Sequence, residues 1–338
     1  MRVNPGYTFD DVLLVPKYSA IKSRTDVDTS VDLGKGVKLN IPIVSSNMKN
    51  VTGAKMGIEI SSLGGLAILH RFYPDSNDQF EEFLTAQIHL QAAKQQNNIG
   101  VSVGVNDYKL IDTMLQREHG PNIICIDVAH GDSKACIDTT KYVSKNYPNV
   151  LLIAGNVATW HGAKALRQAG ADVIKVGVGP GSICSTRIET GNGVPQLTAL
   201  ETIYEAAKVD GFKIIADGGI KQAGDIVKAL CFSDCVMLGN LLAGTDEAPG
   251  DVIITDDGII HKQYAGSSTH KTSHVEGVIG LVNYKGPVKN VINRLMEGVR
   301  SGLSYQGACN LQELKNNPEF VSISHAGLVE SKPHDIKL

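Results

Sequence analysis

One cysteine lies in a glycine-rich loop that could support covalent chemistry. Residues 175–187 read KVGVGPGSICSTR, so an apolar run ends in three glycines within five residues and then presents Cys184 beside hydroxyl groups. Glycine lets a backbone turn freely and approach a ligand closely. Successive amide groups in such a loop can bind an anion, and inward carbonyls can bind a cation. The loop alone leaves two interpretations open: a nucleophilic thiol, or a turn that carries a small buried residue.

Thr186 and Glu276 are the residues that could move protons for a nucleophilic Cys184. A cysteine reacts as its thiolate, and a loop rich in backbone amides can lower the pKa of the thiol. Thr186 follows two positions later and could pass a proton to or from the attacked group, with Glu276 as its acid or base. The alternative for Glu276 is a solvated carboxylate in a surface loop.

Other polar positions match the parts of a nucleotide. Ser182 offers a hydroxyl and an amide for a phosphate, and Gly219, Gly239 and Asn240 follow later apolar runs. Asp217 could accept hydrogen bonds from the vicinal hydroxyls of a ribose; its alternative role is to cap the following helix. Phosphate, ribose and thiol together indicate a nucleoside monophosphate whose base faces the cysteine.

Eight short apolar runs must position these residues, and helix-length amphipathic stretches separate them. The predicted strands are 41–45, 66–69, 100–103, 123–126, 151–154, 173–176, 213–216 and 235–238. The predicted helices are 53–63, 78–94, 108–117, 134–146, 159–169, 198–209 and 221–230. Strands that are apolar throughout indicate a parallel sheet buried on both faces, and eight strand–helix repeats predict an α/β fold, a (β/α)8 barrel. A doubly wound sheet is less favoured, because no GxGxxG motif opens a first β-α unit.

Nearly every predicted strand ends in a residue that can bind a ligand, or in glycine. Active sites of (β/α)8 barrels lie at the carboxyl ends of the strands, so this concentration on one rim favours function over ordinary turns. The rim residues include Asn47, Met48, Arg71, Asp127, Val128, Ala129 and Asn156.

Beyond the eighth strand the repeat ends. Residues 251–263 predict a hairpin with Asp-Gly in its turn, and residues 288–302 predict a last helix. Between them, the polar stretch 265–274 is either a slack surface loop or a flap over the site. We predict one catalytic domain over 1–338, with no inserted regulatory domain.

Composition excludes several classes of protein. A net charge of -3 and a pI near 6.4 give no basic excess for nucleic acid, and no apolar run is long enough to span a membrane. The first residues lack the apolar region of a secretory signal, and six scattered cysteines do not form a disulfide framework. We therefore expect a cytoplasmic protein that binds neither nucleic acid nor membrane.

Four motifs resemble a known family. GPGSICSTR at 179–187, ADGGI at 216–220, VMLG at 236–239 and Gly250 are similar to the shared core of IMP dehydrogenase and GMP reductase. The resemblance extends from Phe9 to the tail. It implies a (β/α)8 barrel, usually a homotetramer, that binds a purine monophosphate and a nicotinamide cofactor. Carbon 2 of the purine would become attached to Cys184 as a thioimidate and exchange hydride with the cofactor.

The resemblance also implies roles for individual residues. Catalytic roles fall on Cys184, Thr186 and Glu276. Substrate contacts are implied for Met48, Ser182, Arg187, Asp217, Gly218, Gly219, Gly239, Asn240, Tyr264, Gly266 and Ser267. Cofactor contacts are implied for Asn47, Arg71, Ser102, Asp127, Val128, Ala129, Asn156 and Gly177. Backbone carbonyls of Gly179, Gly181 and Cys184 would hold a monovalent cation such as K⁺.

The two branches of the family differ in how the covalent intermediate is resolved. A dehydrogenase needs an Arg-Tyr pair on a flap, where the arginine activates water, and no Arg or Tyr occurs between Gly266 and Glu276. Rim motifs such as 46–48 and 127–131 are similar to bacterial GMP reductases, whereas 194–197 and 323–331 are similar to bacterial IMP dehydrogenases. We predict a GMP reductase that uses NADPH. The alternatives are an IMP dehydrogenase without the regulatory insertion, and a purine-nucleotide binding barrel without catalysis.

Overall fold

The computed structural model describes residues 3–266 and 279–333 of the chain. Its N-terminal part contains three short strands, β1 (Val12–Leu14), β2 (Val31–Gly34) and β3 (Val37–Leu39). β2 and β3 pair as an antiparallel hairpin whose alternate residues are buried. This alternation is expected when only one face of a hairpin packs on a core.

Eight parallel strands close into a barrel, as predicted. They are β4 (Ile43–Ser45), β5 (Leu66–Leu69), β6 (Ile99–Val103), β7 (Ile123–Asp127), β8 (Leu151–Val157), β9 (Val173–Val176), β10 (Lys213–Asp217) and β11 (Cys235–Leu238). β11 pairs with β4 to complete the ring. Nearly all of their residues are buried, because helices cover the outside and side chains fill the inside; this explains their uniformly apolar sequences.

Helices follow the strands along the chain. They are α1 (Ala54–Ser62), α2 (Ser76–Ala92), α3 (Tyr108–Leu115), α4 (Lys134–Asn146), α5 (Trp160–Gln168), α6 (Thr186–Thr190), α7 (Gln196–Asp210), α8 (Ala223–Leu230) and α9 (Asn240–Ala243). The seven predicted helices are all present. The short helices α6 and α9 were not predicted, because one turn is too short to show helical periodicity. Residues 70–75 alone connect β5 to α2.

A second, smaller sheet follows the barrel. β12 (Val252–Ile254), β13 (Ile260–Ala265) and β14 (Ile279–Asn283) pair antiparallel, which confirms the predicted hairpin and adds a third strand. Gly258, in the turn, has a φ of 78°, a conformation that glycine adopts without strain. Most of the polar stretch 265–274 lies outside the described residues.

An early and a late segment of the described chain pack together on the barrel. The predicted last helix is α10 (Val288–Tyr305), followed by α11 (Leu311–Leu314), β15 (Phe320–Ser322) and α12 (His325–Glu330). β15 pairs antiparallel with β1. Lys228 on α8 donates from Nζ to the carbonyl of Phe9 at 2.7 Å, and the buried Phe9 ring lies beside Gly219. The N-terminal segment thus supports the rim of the barrel.

Candidate active site

The loop after β9 presents Cys184 to the solvent. The backbone amide of Cys184 donates to the carbonyl of Gly181 at 3.1 Å, and this bond closes a tight turn before the thiol. Cys184 is exposed, and its Sγ atom donates to Oγ1 of Thr186, the first residue of α6, at 3.2 Å. The interpretation of Cys184 as a small buried residue is therefore wrong. The loop instead places a thiol and a hydroxyl side by side at the mouth of the barrel.

The other cysteines differ in their surroundings. Burial raises the pKa of Cys136 to about 11 and that of Cys231 to about 12, and it also raises the pKa values of Cys125 and Cys235. A thiol that stays protonated at neutral pH is a poor nucleophile. Cys309 is exposed, but its backbone carbonyl accepts from Asp28, in the segment before β2, and it does not follow a barrel strand. Cys184 is thus the exposed cysteine that lies just after a barrel strand.

A buried lysine joins two acids at the mouth of the barrel. Nζ of Lys175 lies 2.9 Å from Oδ1 of Asp127 and 2.9 Å from Oδ2 of Asp217. Burial opposes charge on Asp127, yet the Lys175 ammonium and hydrogen bonds from Lys175 and Asn47 hold the pKa of this carboxyl below its usual range. Burial also opposes charge on Lys175, but the two carboxylates raise the pKa of its ammonium. We expect Asp127 and Lys175 to be ionised at neutral pH.

Sequence reasoning gave Lys175 no role, although a signal was present. Lys175 is the one charged residue in the otherwise apolar strand β9, which reads VIKV. A charge inside a buried strand needs an ionic partner, so its position predicts an acid on a neighbouring strand. Which acid it meets depends on register and could not be read from spacing.

Asp217 faces the site and does not cap a helix. The next helix, α8, begins at Ala223 with Gln222 at its N-cap position, so the capping interpretation of Asp217 is wrong. Asn156 donates from Nδ2 to Oδ2 of Asp217 and to the carbonyl of Gly177, both at 2.8 Å. The predicted ribose acceptor is thus held by hydrogen bonds on the rim.

Predicted substrate residues gather beside α9. A Cβ atom on Gly239 would lie 2.7 Å from the Tyr264 hydroxyl, so glycine is needed for this close approach. That hydroxyl donates to Sδ of Met48 at 3.6 Å and is hydrogen-bonded to Ser182. Burial raises the pKa of Tyr264 to about 12, so the phenol stays protonated. Asn240 begins α9, and its carbonyl accepts from Lys285 Nζ at 2.6 Å.

The glycines after β10 give this region its shape. Gly218 and Gly219 have φ values of 96° and 81°, in the left-handed region that favours glycine. A Cβ atom on Gly218 would lie 2.8 Å from Pro180 of the cysteine loop. The two loops therefore pack directly on each other, which brings predicted phosphate and ribose positions to one side of the thiol.

The predicted cofactor residues divide between two parts of the rim. Asn156 and Gly177 lie with Asp217, whereas the others lie on or just after β4 to β7, the last of which ends in Asp127. Val128, which is half-buried, and Ala129, which is exposed, follow it, and the positive charge of Arg71 acts on the Asp127 carboxylate. The Arg71 guanidinium also lies 4.5 Å from the ring centre of Phe72. Ser102 differs from expectation: it is fully buried inside β6 and donates to the carbonyl of Leu69 at 2.6 Å. Its hydroxyl is thus committed to the barrel wall, so its contribution would be to hold β5 against β6.

Comparison with known protein families identifies the family of this chain. A family described as "IMP dehydrogenase / GMP reductase domain" matches residues 6–334. The chain belongs to the IMP dehydrogenase/GMP reductase family. The two enzymes that name this family are oxidoreductases of purine nucleotide metabolism that use a nicotinamide cofactor.

Relatives from both branches of the IMP dehydrogenase/GMP reductase family are similar to the chain. IMP dehydrogenase of Borreliella burgdorferi is 38% identical over 397 positions, covering 97% of this chain and 96% of the relative. IMP dehydrogenase of Aquifex aeolicus is 34% identical, covering 100% and 97%. The crystal structure of a cysteine-to-alanine variant of GMP reductase from Trypanosoma brucei, in complex with guanosine 5'-monophosphate, matches with a TM-score of 0.90 and 30% identity, over 99% of both chains.

Arg187 supports the cysteine loop that characterises the family. Its guanidinium donates to the carbonyls of Val194 at 2.7 Å and Val178 at 3.5 Å. A Cβ atom added to Gly179 or to Gly193 would lie within 2.6 Å of the Arg187 side chain. The arginine side chain therefore packs directly against both glycines. Arg187 therefore stabilises the cysteine loop. Its contact with substrate stays a prediction.

Two predicted residues of the family site, Ser267 and Glu276, lie outside the described residues; Gly266 is half-buried just after β13. Within 3–266 and 279–333, no cluster of three or more His, Cys, Asp or Glu side chains could hold a metal ion. A monovalent cation would depend on carbonyls instead. The carbonyl of Gly181 accepts one hydrogen bond from Cys184, and its second lone pair suits such an ion.

Proposed function

We propose that the chain is an NADPH-dependent GMP reductase, which deaminates GMP reductively to IMP and ammonia. The observation that carries this proposal is the absence of Arg and Tyr between Gly266 and Glu276. An intermediate on Cys184 then lacks the base that would activate water, and reduction is the remaining route. The similarity to a GMP reductase that binds GMP supports the same conclusion.

The residues around Cys184 suit the removal of an amine. Sγ forms a bond to carbon 2 of GMP, and the bond from carbon 2 to the amino group breaks. Thr186, whose Oγ1 lies 3.2 Å from Sγ, is placed to pass a proton to the departing amine, and Glu276 would replace that proton. Covalent attachment divides one difficult displacement into two easier steps.

The second half of the reaction returns the thiol. A reduced nicotinamide, when bound, would supply hydride to carbon 2, so the purine would be reduced and the cofactor oxidised. The bond between carbon 2 and Sγ of Cys184 then breaks, and IMP leaves. In sum, GMP, NADPH and two protons become IMP, oxidised cofactor and ammonium.

The residues near Asp127 fit a nicotinamide dinucleotide. The Asp127 carboxylate is partly exposed and ionised, so it can accept hydrogen bonds from hydroxyl or amide groups. The Arg71 guanidinium beside it can pair with phosphate. Asn47, Val128, Ala129 and Asn156 would complete the contact. On the other side of the mouth, Asp217 would bind the ribose of GMP.

The proposal is tested by two assays on the purified protein. With GMP and NADPH, we expect NADPH to be oxidised and IMP and ammonia to form in equal amounts. With IMP and NAD, we expect no XMP. The reverse pattern would show that the chain is a dehydrogenase.

An IMP dehydrogenase is the second candidate, and specific observations favour it. The Borreliella burgdorferi relative named for that activity covers 97% of this chain, and residues 194–197 and 323–331 are similar to that branch. The aligned 397 positions exceed this chain's 338 residues, so that relative carries residues without a counterpart here.

Tight binding of GMP with no turnover in either assay would instead favour a non-catalytic binding barrel.

A monovalent cation, a homotetramer and a cytoplasmic location belong to the same proposal. No helix in the described part of the chain is long and apolar enough to cross a membrane. Light scattering should give the mass of four chains, and replacing K⁺ by Na⁺ or Li⁺ should change the rate.

A further inference from the structure

The ammonium of Lys175 reaches across the barrel between two halves of the site. Lys175 lies on β9, next to β10 with Asp217, but β8 separates it from β7 with Asp127. In the ladder, Asp127 is level with Gly155 of β8, and Gly155 is level with Lys175. These three residues therefore point into the barrel at the same height.

Gly155 makes this reach possible. A Cβ atom on Gly155 would lie 2.6 Å from the Lys175 carbonyl oxygen and 2.7 Å from Lys175 Cβ. Any side chain there would occupy the path of the lysine. Without one, the lysine side chain passes over β8, and Nζ meets both carboxylates at 2.9 Å.

The three charged groups are not equally accessible. The Lys175 side chain is 3% exposed, whereas those of Asp127 and Asp217 are 16% and 21% exposed. The cation thus lies beneath the two acids, and the acids face the mouth. Asn47 and Asn156 hold one acid each from the sides.

We propose that Lys175 is a positioning residue that couples the nucleotide half of the site to the cofactor half. It touches neither ligand but holds the Asp217 carboxylate for the ribose and the Asp127 carboxylate for the cofactor in one fixed arrangement. The assignment of the two halves rests on the proposed function, and both family activities would need them.

Removing the cation has a defined electrostatic result. Two carboxylates that share one ammonium would then face each other, and repulsion would raise the pKa of one of them. The other titratable or charged groups near the network are Arg71, Cys125, Cys136 and Tyr264. Of these, only Arg71 carries positive charge, and it acts on Asp127.

The test is Lys175→Met, with Lys213→Met as its matched control. Lys213 lies on the neighbouring strand β10, and its Nζ is 3.4 Å from Asp234, near the other end of the barrel. For Lys175→Met we expect KM for GMP and KM for NADPH each to rise about tenfold or more, since charged hydrogen bonds are lost on both sides. The acid limb of the pH profile of kcat/KM should move to higher pH. Lys213→Met should keep the parent constants.

A second variant tests the coupling if Lys175→Met does not fold. Lys175→Gln with Asp127→Asn removes the cation together with one negative charge, so the repulsion disappears. We expect its acid limb to return to the parent position while KM for NADPH stays high. Circular dichroism reports the folded fraction in every case.

The proposal is overturned if folded Lys175→Met keeps both KM values and the parent pH profile, because a purely structural lysine would change only stability. It is also overturned if the double variant keeps a shifted acid limb. If the parent enzyme turns over IMP with NAD but not GMP, the proposed function fails. The same variants, measured with IMP and NAD, would still test the coupling.

Discussion

Gly177 and Asp217 meet through their backbones, at the point where the cysteine loop leaves β9 and the ribose acceptor ends β10. A Cβ atom on Gly177 would collide with the carbonyl oxygen of Asp217, and Gly177 has a φ of 150°. The loop that carries the thiol and the strand that carries the acid are thus in direct contact. Their spacing cannot change unless one backbone moves.

Replacing Gly177 by alanine should therefore displace the thiol. We expect Gly177→Ala to lower kcat by about a hundredfold, because small misplacements of reacting groups cost that much. Gly191→Ala is the control: Gly191 has a φ of 69°, but nothing lies within 4 Å of a Cβ there. It should cost only about 1 kcal/mol of stability and leave kcat intact. Equal rates in the two variants would contradict the close contact.

Variants of Cys184 and Thr186 should distinguish nucleophilic attack from proton transfer. Cys184→Ala should abolish turnover while calorimetry still detects GMP binding. Thr186→Val should lower kcat by about 10²- to 10⁴-fold, the usual contribution of a positioned proton donor, with little change in KM. Thr202→Val removes an exposed hydroxyl that bonds within α7 and should be neutral. Full activity of Cys184→Ala would disprove the covalent route.

Because His70 is buried, we expect the free energy of unfolding to fall in acid. Burial, followed by the charge of Lys49, lowers its pKa from 6.5 to about 4, so the folded protein keeps this imidazole neutral. The unfolded chain binds the proton below about pH 6.5, and stability falls from there towards pH 4, by up to about 3 kcal/mol. His70→Asn should flatten this slope in urea unfolding, whereas His89→Asn, at an exposed position, should not. An unchanged slope in His70→Asn would refute the assignment.

Gln196 should hold the strand ends beneath the loop. Its Nε2 donates to the carbonyls of Val176 at 2.8 Å and Asp217 at 3.2 Å, and the side chain is buried. Gln196→Leu leaves both carbonyls without this donor and should cost about 1–3 kcal/mol per group. Thermal unfolding measures the loss, with exposed Gln91→Ala as the control. A melting temperature equal to the parent value would show that water replaces the amide.

The barrel was predictable because its strands are buried on both faces, which makes their sequences apolar from end to end. β14 and β15 were missed for the opposite reason: they are short and largely exposed, and β15 pairs with β1 across most of the chain. The rim residues followed from the rule that barrel sites lie at the carboxyl ends of strands. Their partners did not follow, because a contact such as Lys175 with Asp127 depends on ladder register.

Ser102 and Asp217 show the limits of position alone. Both lie near strand ends, yet Ser102 turns its hydroxyl to the Leu69 carbonyl and Asp217 turns its carboxylate to the mouth. A sequence places a residue on a strand but does not reveal which neighbour its side chain meets.

The pairing of β1 with β15 has a consequence for how the enzyme is made. The loop that carries Cys184 leaves the ribosome before β10 and β11, which close the barrel beside it, and before β15, which secures the N-terminal segment. A nascent chain therefore carries the Cys184 thiol before the neighbouring strands of the barrel have been made. The surroundings of the thiol are therefore complete only after β11 and β15 have been synthesised.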